Sequence, residues 1–281
     1  MAQTRSRFLR GIMLLLRRYY GHHVGRDSAA LTYYLLFAIF PLLIFFSNLV
    51  GLFAMDIGSF LVKLSAIIPE EALELILQYL QYISEASSEK LLGFSLVFSI
   101  WFPFRAANSL FASVRKAYGL GPSTHFLLDQ GKVLLFTLAL LLMFPLSLLI
   151  VAVGDNLLSF VARFIYISEH FIVLWSSLRF VLLAVIVFCA IIALYALAQD
   201  RPTVRYMWPG VLFSLTAWMA LALCFSLYVE NMGRYSLFYG SIGTIIILLI
   251  WLYLAATMLI LGAEFNCVLA ELRDANEEVS L

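Results

Sequence analysis

Charge is what this sequence has least of: 12% of its 281 residues are Asp, Glu, Lys or Arg, where a soluble domain carries about 25%. So few charges cannot cover a water-facing surface, and a soluble globular domain is excluded. The formal net charge of +1 carries no information about nucleic acid, since in a membrane protein the side on which charges fall is what matters. Cysteine is scarce too. Cys189, Cys224 and Cys267 lie in apolar or span-end contexts without the close spacings that hold zinc or iron–sulfur clusters, and they read as buried, reduced thiols. The four histidines, His22, His23, His125 and His170, include no pair at helical ligand spacing, so no metal site is expected. A phosphate-binding glycine loop, a G-x-S-x-G elbow and any sizeable aqueous domain are equally missing. An enzyme is therefore not expected, no cofactor is expected, and any drive for transport would come from an ion gradient, a partner or the substrate's own gradient. No small-residue cleavage site follows the first apolar run, so that run is expected to stay in the mature protein.

What the chain has instead is hydrophobic length. It is 63% hydrophobic with a mean hydropathy of +0.98. Six apolar runs, 29–53, 91–111, 133–153, 171–197, 210–230 and 241–263, each reach the roughly 20 residues that cross a bilayer core as a helix. The expected fold is an all-α polytopic membrane protein, one domain of six transmembrane helices. The last run carries no formal charge from Ser241 to Ala263. Gly240 and Gly243 at one end and Gly262 at the other allow another backbone to come close. Pro145 should kink the third span.

Between the runs, local signals set the expected boundaries. Gly21-His22-His23-Val24-Gly25 breaks the chain, and Asp27-Ser28 caps the first span. Gly119-Leu120-Gly121-Pro122 stops the second span, Gly154-Asp155-Asn156 ends the third, and Pro202 keeps residues 199–206 from being helical. In segment 1–28, Phe8, Ile12, Leu15 and Tyr19 form a stripe with Arg7, Arg10, Arg17 and Arg18 mostly off it, the pattern of a basic interfacial helix on anionic headgroups. Pro69-Glu70-Glu71 opens an amphipathic extracytoplasmic helix carrying Leu73, Ile76, Leu77, Leu80 and Ile83. Residues 264–281 form an acidic tail. Six spans put both termini on one side, which holds roughly three times as many Lys and Arg residues as the other, so both termini are expected in the cytoplasm.

Ser28-Ala-Ala-Leu-Thr-Tyr-Tyr-Leu-Leu-Phe-Ala-Ile-Phe-Pro41, Asn108 through Arg115-Lys-Ala-Tyr118, Pro209-Gly210 before Trp218, Tyr228 through Tyr239-Gly-Ser-Ile-Gly243, and Trp251-Leu-Tyr253 through Gly262-Ala-Glu-Phe-Asn266 follow one another along the chain. Together they make a chain that resembles the YihY/virulence factor BrkB family over nearly its whole length. The resemblance implies a six-span protein of the bacterial inner membrane. Members were once labelled ribonuclease BN, a name generally regarded as a misassignment, and a role in transport or envelope lipid handling has been suggested for them.

Arg105 is the sharpest single signal, a charge about four residues from the middle of the second span, where insertion costs roughly 2.5–3.5 kcal/mol. Asn108 and Ser109 share its helix face, and Ser95, Ser99 and Ser113 give that side a small, polar character. Either Arg105 faces a polar cavity and holds an anionic group such as a lipid phosphate, or it snorkels to headgroups or pairs with Glu264. Arg179, within the fourth span, is the second intramembrane cation. Arg105 with Glu264 near the cytoplasmic boundary and Arg179 with Glu230 near the outer one would make two gates for alternating access, or two pairs that fix helix register. Tyr228, Tyr235 and Tyr239 around Arg234 read as an interfacial belt, and Trp101 and Trp251, deep in spans, read as packing.

Two functions follow from these residues. One is a transporter-like protein whose polar spans line a pathway for an amphipathic anion, with lipid or a lipid-linked envelope precursor as the favoured class. The other is a non-catalytic membrane scaffold recruiting envelope-synthesis proteins. Membrane lipids are the expected partners and nucleic acid is not.

Overall fold

A computed structural model describes residues 2–52, 89–121, 125–161, 169–200, 207–231 and 236–280, with side chains at 9–45, 93–121, 125–143, 146–147, 181–200, 207–228, 243 and 245–273. The described residues form seven helices and no strand: α1 (Ala2–Gly21), α2 (Val24–Leu52), α3 (Glu89–Ala117), α4 (Phe126–Val161), α5 (Glu169–Leu197), α6 (Trp208–Asn231) and α7 (Ser236–Ser280). Apolar chains of this length become helices because a helix satisfies every interior backbone N–H and C=O without water. Four stretches are long and apolar enough to cross a bilayer: Val24–Phe45, Phe126–Met143, Trp208–Tyr228 and Ile245–Arg273. The amphipathic helix expected after Pro69, the turn at Pro202, and Arg234 and Tyr235 lie outside the described residues.

Helix ends follow local chemistry, with two departures from expectation. At the close of α3, Gly119 takes φ 67°, its N–H donates to the Lys116 carbonyl at 3.0 Å, and the Leu120 N–H donates to the Arg115 carbonyl at 2.9 Å. That is the paired Schellman closure that only a residue tolerant of positive φ completes cheaply, so the expected stop is where it belongs. The break between α1 and α2 is shorter than expected: His23 alone turns the chain at φ 57°, and α2 begins at Val24. Asp27 therefore lies in the first turn and Ser28 just after it, not ahead of the helix, and the Asp27 carboxylate still favours the helix dipole. The third run is also longer, starting at Phe126 and continuing through Pro145 and Gly154-Asp155-Asn156 to Val161. A helical Gly costs about 1 kcal/mol against Ala and Asp or Asn less, too little to stop a helix already propagating. Finally, the acidic tail is helix, since α7 runs 45 residues to Ser280.

The residues divide into two compact units. In one, Met1–Leu36, Phe104–Phe136 and Val187–Leu281, the core is built on Leu194, Tyr195, Met207, Val211, Ile260 and Val114. α6 and α7 meet here at two glycines. A methyl group on Gly210 would overlap the Gly262 carbonyl oxygen, and one on Gly262 would overlap the Ser214 and Tyr195 hydroxyls. The contact lets side chains from one helix serve the backbone of the other. Asn266 accepts a hydrogen bond from the Gly210 N–H at 2.7 Å through Oδ1 and donates to the Met207 carbonyl at 3.0 Å through Nδ2. It thereby caps from α7 the first turn of α6, where Pro209 has no N–H to offer. Tyr195 donates to the Leu259 carbonyl at 2.7 Å and lies 2.8 Å from Ser214 Oγ, which donates to the Met258 carbonyl at 3.0 Å.

In the other unit, Phe37–Pro103 and Thr137–Ile186, Phe94, Phe98 and Phe102 follow one another along α3 at centroid separations of 4.3 and 5.6 Å, and Phe37 stacks on Phe102 at 5.7 Å. Ser95 and Ser99 are buried beside them. Trp101 is 52% exposed, which corrects its reading as a packed residue, whereas Trp251 in the first unit does pack, against Trp218 and Phe225 at 5.8 Å each. Cys189 and Cys224 are exposed and Cys267 is half-buried, so the expectation of three buried thiols is also corrected.

Candidate functional site

Glu264 is fully buried, and its partners come from the far end of the chain. The break at Gly21 to His23 returns α1 so that Arg18 donates to Glu264 Oε2 at 3.1 Å while His22 Nδ1 lies 2.5 Å from Oε1. Arg18 also bonds Glu271 one further turn along α7 and donates to the Ala117 carbonyl at 3.2 Å, covering the end of α3. Burial pulls the Arg18 guanidinium down, but the carboxylates of Glu271 and Glu264 hold it above its ordinary pKa. Beside it, Lys116 pairs with Asp27, whose carboxylate also accepts from Ser113 at 3.4 Å. Nearby, burial pushes the Tyr118 phenol up to about 12 against the opposing hydrogen bond from Asn266.

A second ionic group surrounds Arg115. Its guanidinium forks onto Asp200 at 2.9 and 3.3 Å and donates to the Ala198 and Gly121 carbonyls at 3.1 Å each. Asp200 raises the arginine above its ordinary value, and Arg115 holds the exposed Asp200 carboxyl below the usual carboxylate range. Asp129 lies 3.8 Å from Arg115 and accepts from Lys132 at 3.1 Å, one turn along α4. These groups border a cavity of about 410 Å³ between α3, the start of α4 and the end of α5, with Asn108, Gln130, Phe111, Phe126 and Val133 among its walls.

Arg105 does not meet Glu264. The carboxylate is met instead by Arg18 on one oxygen and His22 on the other. Arg105 instead sits 5.5 Å above the Tyr34 ring and donates to its hydroxyl at 3.4 Å, and among the described residues no carboxylate pairs with it. Of its two expected neighbours, Asn108 lines the cavity and receives the Gln130 amide at 3.4 Å, while the Ser109 carbonyl accepts from Ser113 at 3.0 Å. Gly243 is buried in α7 and Gly262 forms the close approach to α6. Arg179, Glu230, Gly240 and Pro145 fall within α5, α6, α7 and α4, and their side chains lie outside the described set. Arg18, His22, Arg115, Asp129, Gln130 and Lys132 were not expected at a site. The spacing of Asp129 and Lys132 on one helix turn was legible, but separations such as the 246 residues from Arg18 to Glu264 leave no local pattern.

The model of the virulence factor BrkB family matches residues 15–280. The chain belongs to this family. Glu264 and its partners, the cavity and Arg105 all lie within the matched stretch, so the BrkB family match covers every part of the candidate site. Among BrkB relatives, the "Putative ribonuclease-like protein YfkH" of Bacillus subtilis (strain 168) is 27% identical over 265 residues, 94% of this chain and 96% of that protein. No solved structure matches.

Proposed function

We propose that this BrkB-family chain is a transporter-like protein of the bacterial cytoplasmic membrane that moves or handles an amphipathic anion such as a lipid or lipid-linked envelope precursor, without enzymatic activity. Arg105 carries the reading. A guanidinium in a membrane helix costs roughly 2.5–3.5 kcal/mol, and Tyr34 offers it only a neutral ring and hydroxyl. An anionic guest supplies the missing charge. Six spans within one membrane domain are supported by the 29-residue lengths of α3 and α5, each enough for a crossing alongside the four most apolar stretches. The contact of Arg18 with Glu264 and Glu271 puts α1 and the late turns of α7 at the same end, which an even number of crossings requires. The excess of basic residues on the side of the termini supports a cytoplasmic assignment for that end.

The test is reconstitution into liposomes with labelled lipids and lipid-linked anions. Exchange or flux rises above protein-free vesicles, and Arg105→Ala lowers it by about tenfold. No movement across the panel, with Arg105→Ala fully active in cells, overturns the reading. The scaffold alternative draws on one observation, the helical continuation of α7 well past its apolar stretch to Ser280. It is favoured if truncation after Arg273 abolishes function in cells while liposome activity is untouched.

A further inference from the structure

The cavity between α3, the start of α4 and the end of α5 holds both signs of charge against apolar walls. Its volume of about 410 Å³ is within the range of small-ligand pockets, roughly 300–1,000 Å³. Lys132, whose side chain is 37% exposed, gives Asp129 one hydrogen bond at 3.1 Å and has two further N–H donors on its ammonium. The terminal nitrogens of Arg115 are engaged, yet its Nε is buried and meets no acceptor. An unmet buried donor is costly and calls for a partner. The Gln130 and Asn108 amides meet at 3.4 Å, too long for a strong bond, so either can turn to a ligand at little loss.

A bare anion suits this lining poorly. It would gain Lys132 but face the Asp129 carboxylate a few ångströms away, which is held there by both cations. A phosphodiester bearing its own ammonium meets both signs at once. The apolar component has a place as well: Phe111, Phe126 and Val133 line the cavity, and Phe126, Leu127 and Leu128 at its edge are 68%, 83% and 67% exposed. Resting on the membrane reading above, we infer that this cavity binds the headgroup of an amine-bearing phospholipid. Its phosphate lies toward Lys132 and the Asn108 and Gln130 amides, and its ammonium lies toward Asp129. The glycerol and first acyl carbons follow Phe111 and Phe126 outward to the bilayer.

The experiment uses the purified full-length protein in detergent, titrated with dihexanoyl phosphatidylethanolamine, dihexanoyl phosphatidylglycerol and inorganic phosphate, and reads occupancy by native mass spectrometry. The ethanolamine lipid binds saturably and about tenfold more tightly than the glycerol lipid, and phosphate binds weakest. Lys132→Gln weakens both lipids about tenfold. Asp129→Asn removes the preference between them, a selectivity change that loss of folding cannot produce. Ala112→Phe, at an exposed position of the cavity wall, blocks both lipids. Equal binding of the two lipids, a preference that survives Asp129→Asn, or unchanged binding in Ala112→Phe overturns the assignment. Headgroup selectivity without lipid movement in liposomes sinks the transport reading and spares this one, whereas movement without selectivity does the reverse.

Discussion

At the scale of single residues, the decisive group is Glu264, buried with Arg18 on one oxygen and His22 on the other. Removing one member of a buried pair strands its partner and costs about 3–5 kcal/mol, less where the partner reaches water. Arg18 is 19% exposed and keeps Glu271, so Glu264→Gln is expected to cost about 2 kcal/mol. The check is a lowered unfolding midpoint in detergent, with Arg18→Gln lower still because the carboxylate it strands is fully buried. Asp200 behaves differently because it is exposed and its pKa is depressed by Arg115. A depressed carboxylate stabilises fully above its unfolded value, about 3.9, and loses that contribution as pH falls through the folded value. The stability gap between wild type and Asp200→Asn is therefore constant from pH 8 to 5 and closes below pH 4, measured by unfolding at each pH. Glu264 and Arg105 stood out in the sequence because charge in an apolar run is costly wherever it points. Their partners did not, since Tyr34 is one of 14 tyrosines and nothing in its neighbours marks it.

At the scale of helices, the pairing of α6 with α7 depends on two missing side chains. At Gly210 the obstacle to a methyl group is the Gly262 backbone carbonyl, which cannot rotate away as a side chain could. Gly210→Ala and Gly262→Ala should each cost about 2–3 kcal/mol through forced separation of the helices. Gly93→Ala and Gly131→Ala have open space around the added methyl group, and there the change should gain about 0.5–1 kcal/mol from helix propensity. Unfolding midpoints of the four variants should fall into those two pairs, and a similar loss for all four would refute the close approach. The sequence marked Gly262 and the stop at Gly119 because glycine at such places has few uses. It misplaced the starts of α2 and α4, where helix formation needs no special residue and one left-handed histidine replaced a loop. Asn266 as the cap of α6 was illegible for a different reason: it lies 56 residues from the Gly210 N–H it accepts.

At the scale of the whole molecule, helical class and membrane character were legible because both rest on composition and run length, which need no tertiary contact. The cavity and the ionic groups were not, because they exist only where α1, α3, α4, α5 and α7 bring distant residues together. The membrane character has a consequence for the two exposed thiols. Cys224 on α6 is close to Leu223 and Leu227, which are 69% and 61% exposed, and Cys189 on α5 follows Val185, 49% exposed. Leaving such side chains in water would forfeit roughly 1.5–3 kcal/mol each, so this surface belongs to lipid. A thiol there is exposed by geometry yet shut off from water and from any charged reagent dissolved in it. In intact vesicles Cys189 and Cys224 should remain unlabelled by a charged maleimide, while a cysteine introduced at the exposed, ion-paired Asp200 site reacts within minutes. After denaturation in dodecyl sulfate all three positions should label, read by peptide mass. Rapid labelling of Cys224 in the intact bilayer would mean that α6 turns this face to water, and the spans would have to be reassigned around an aqueous α6.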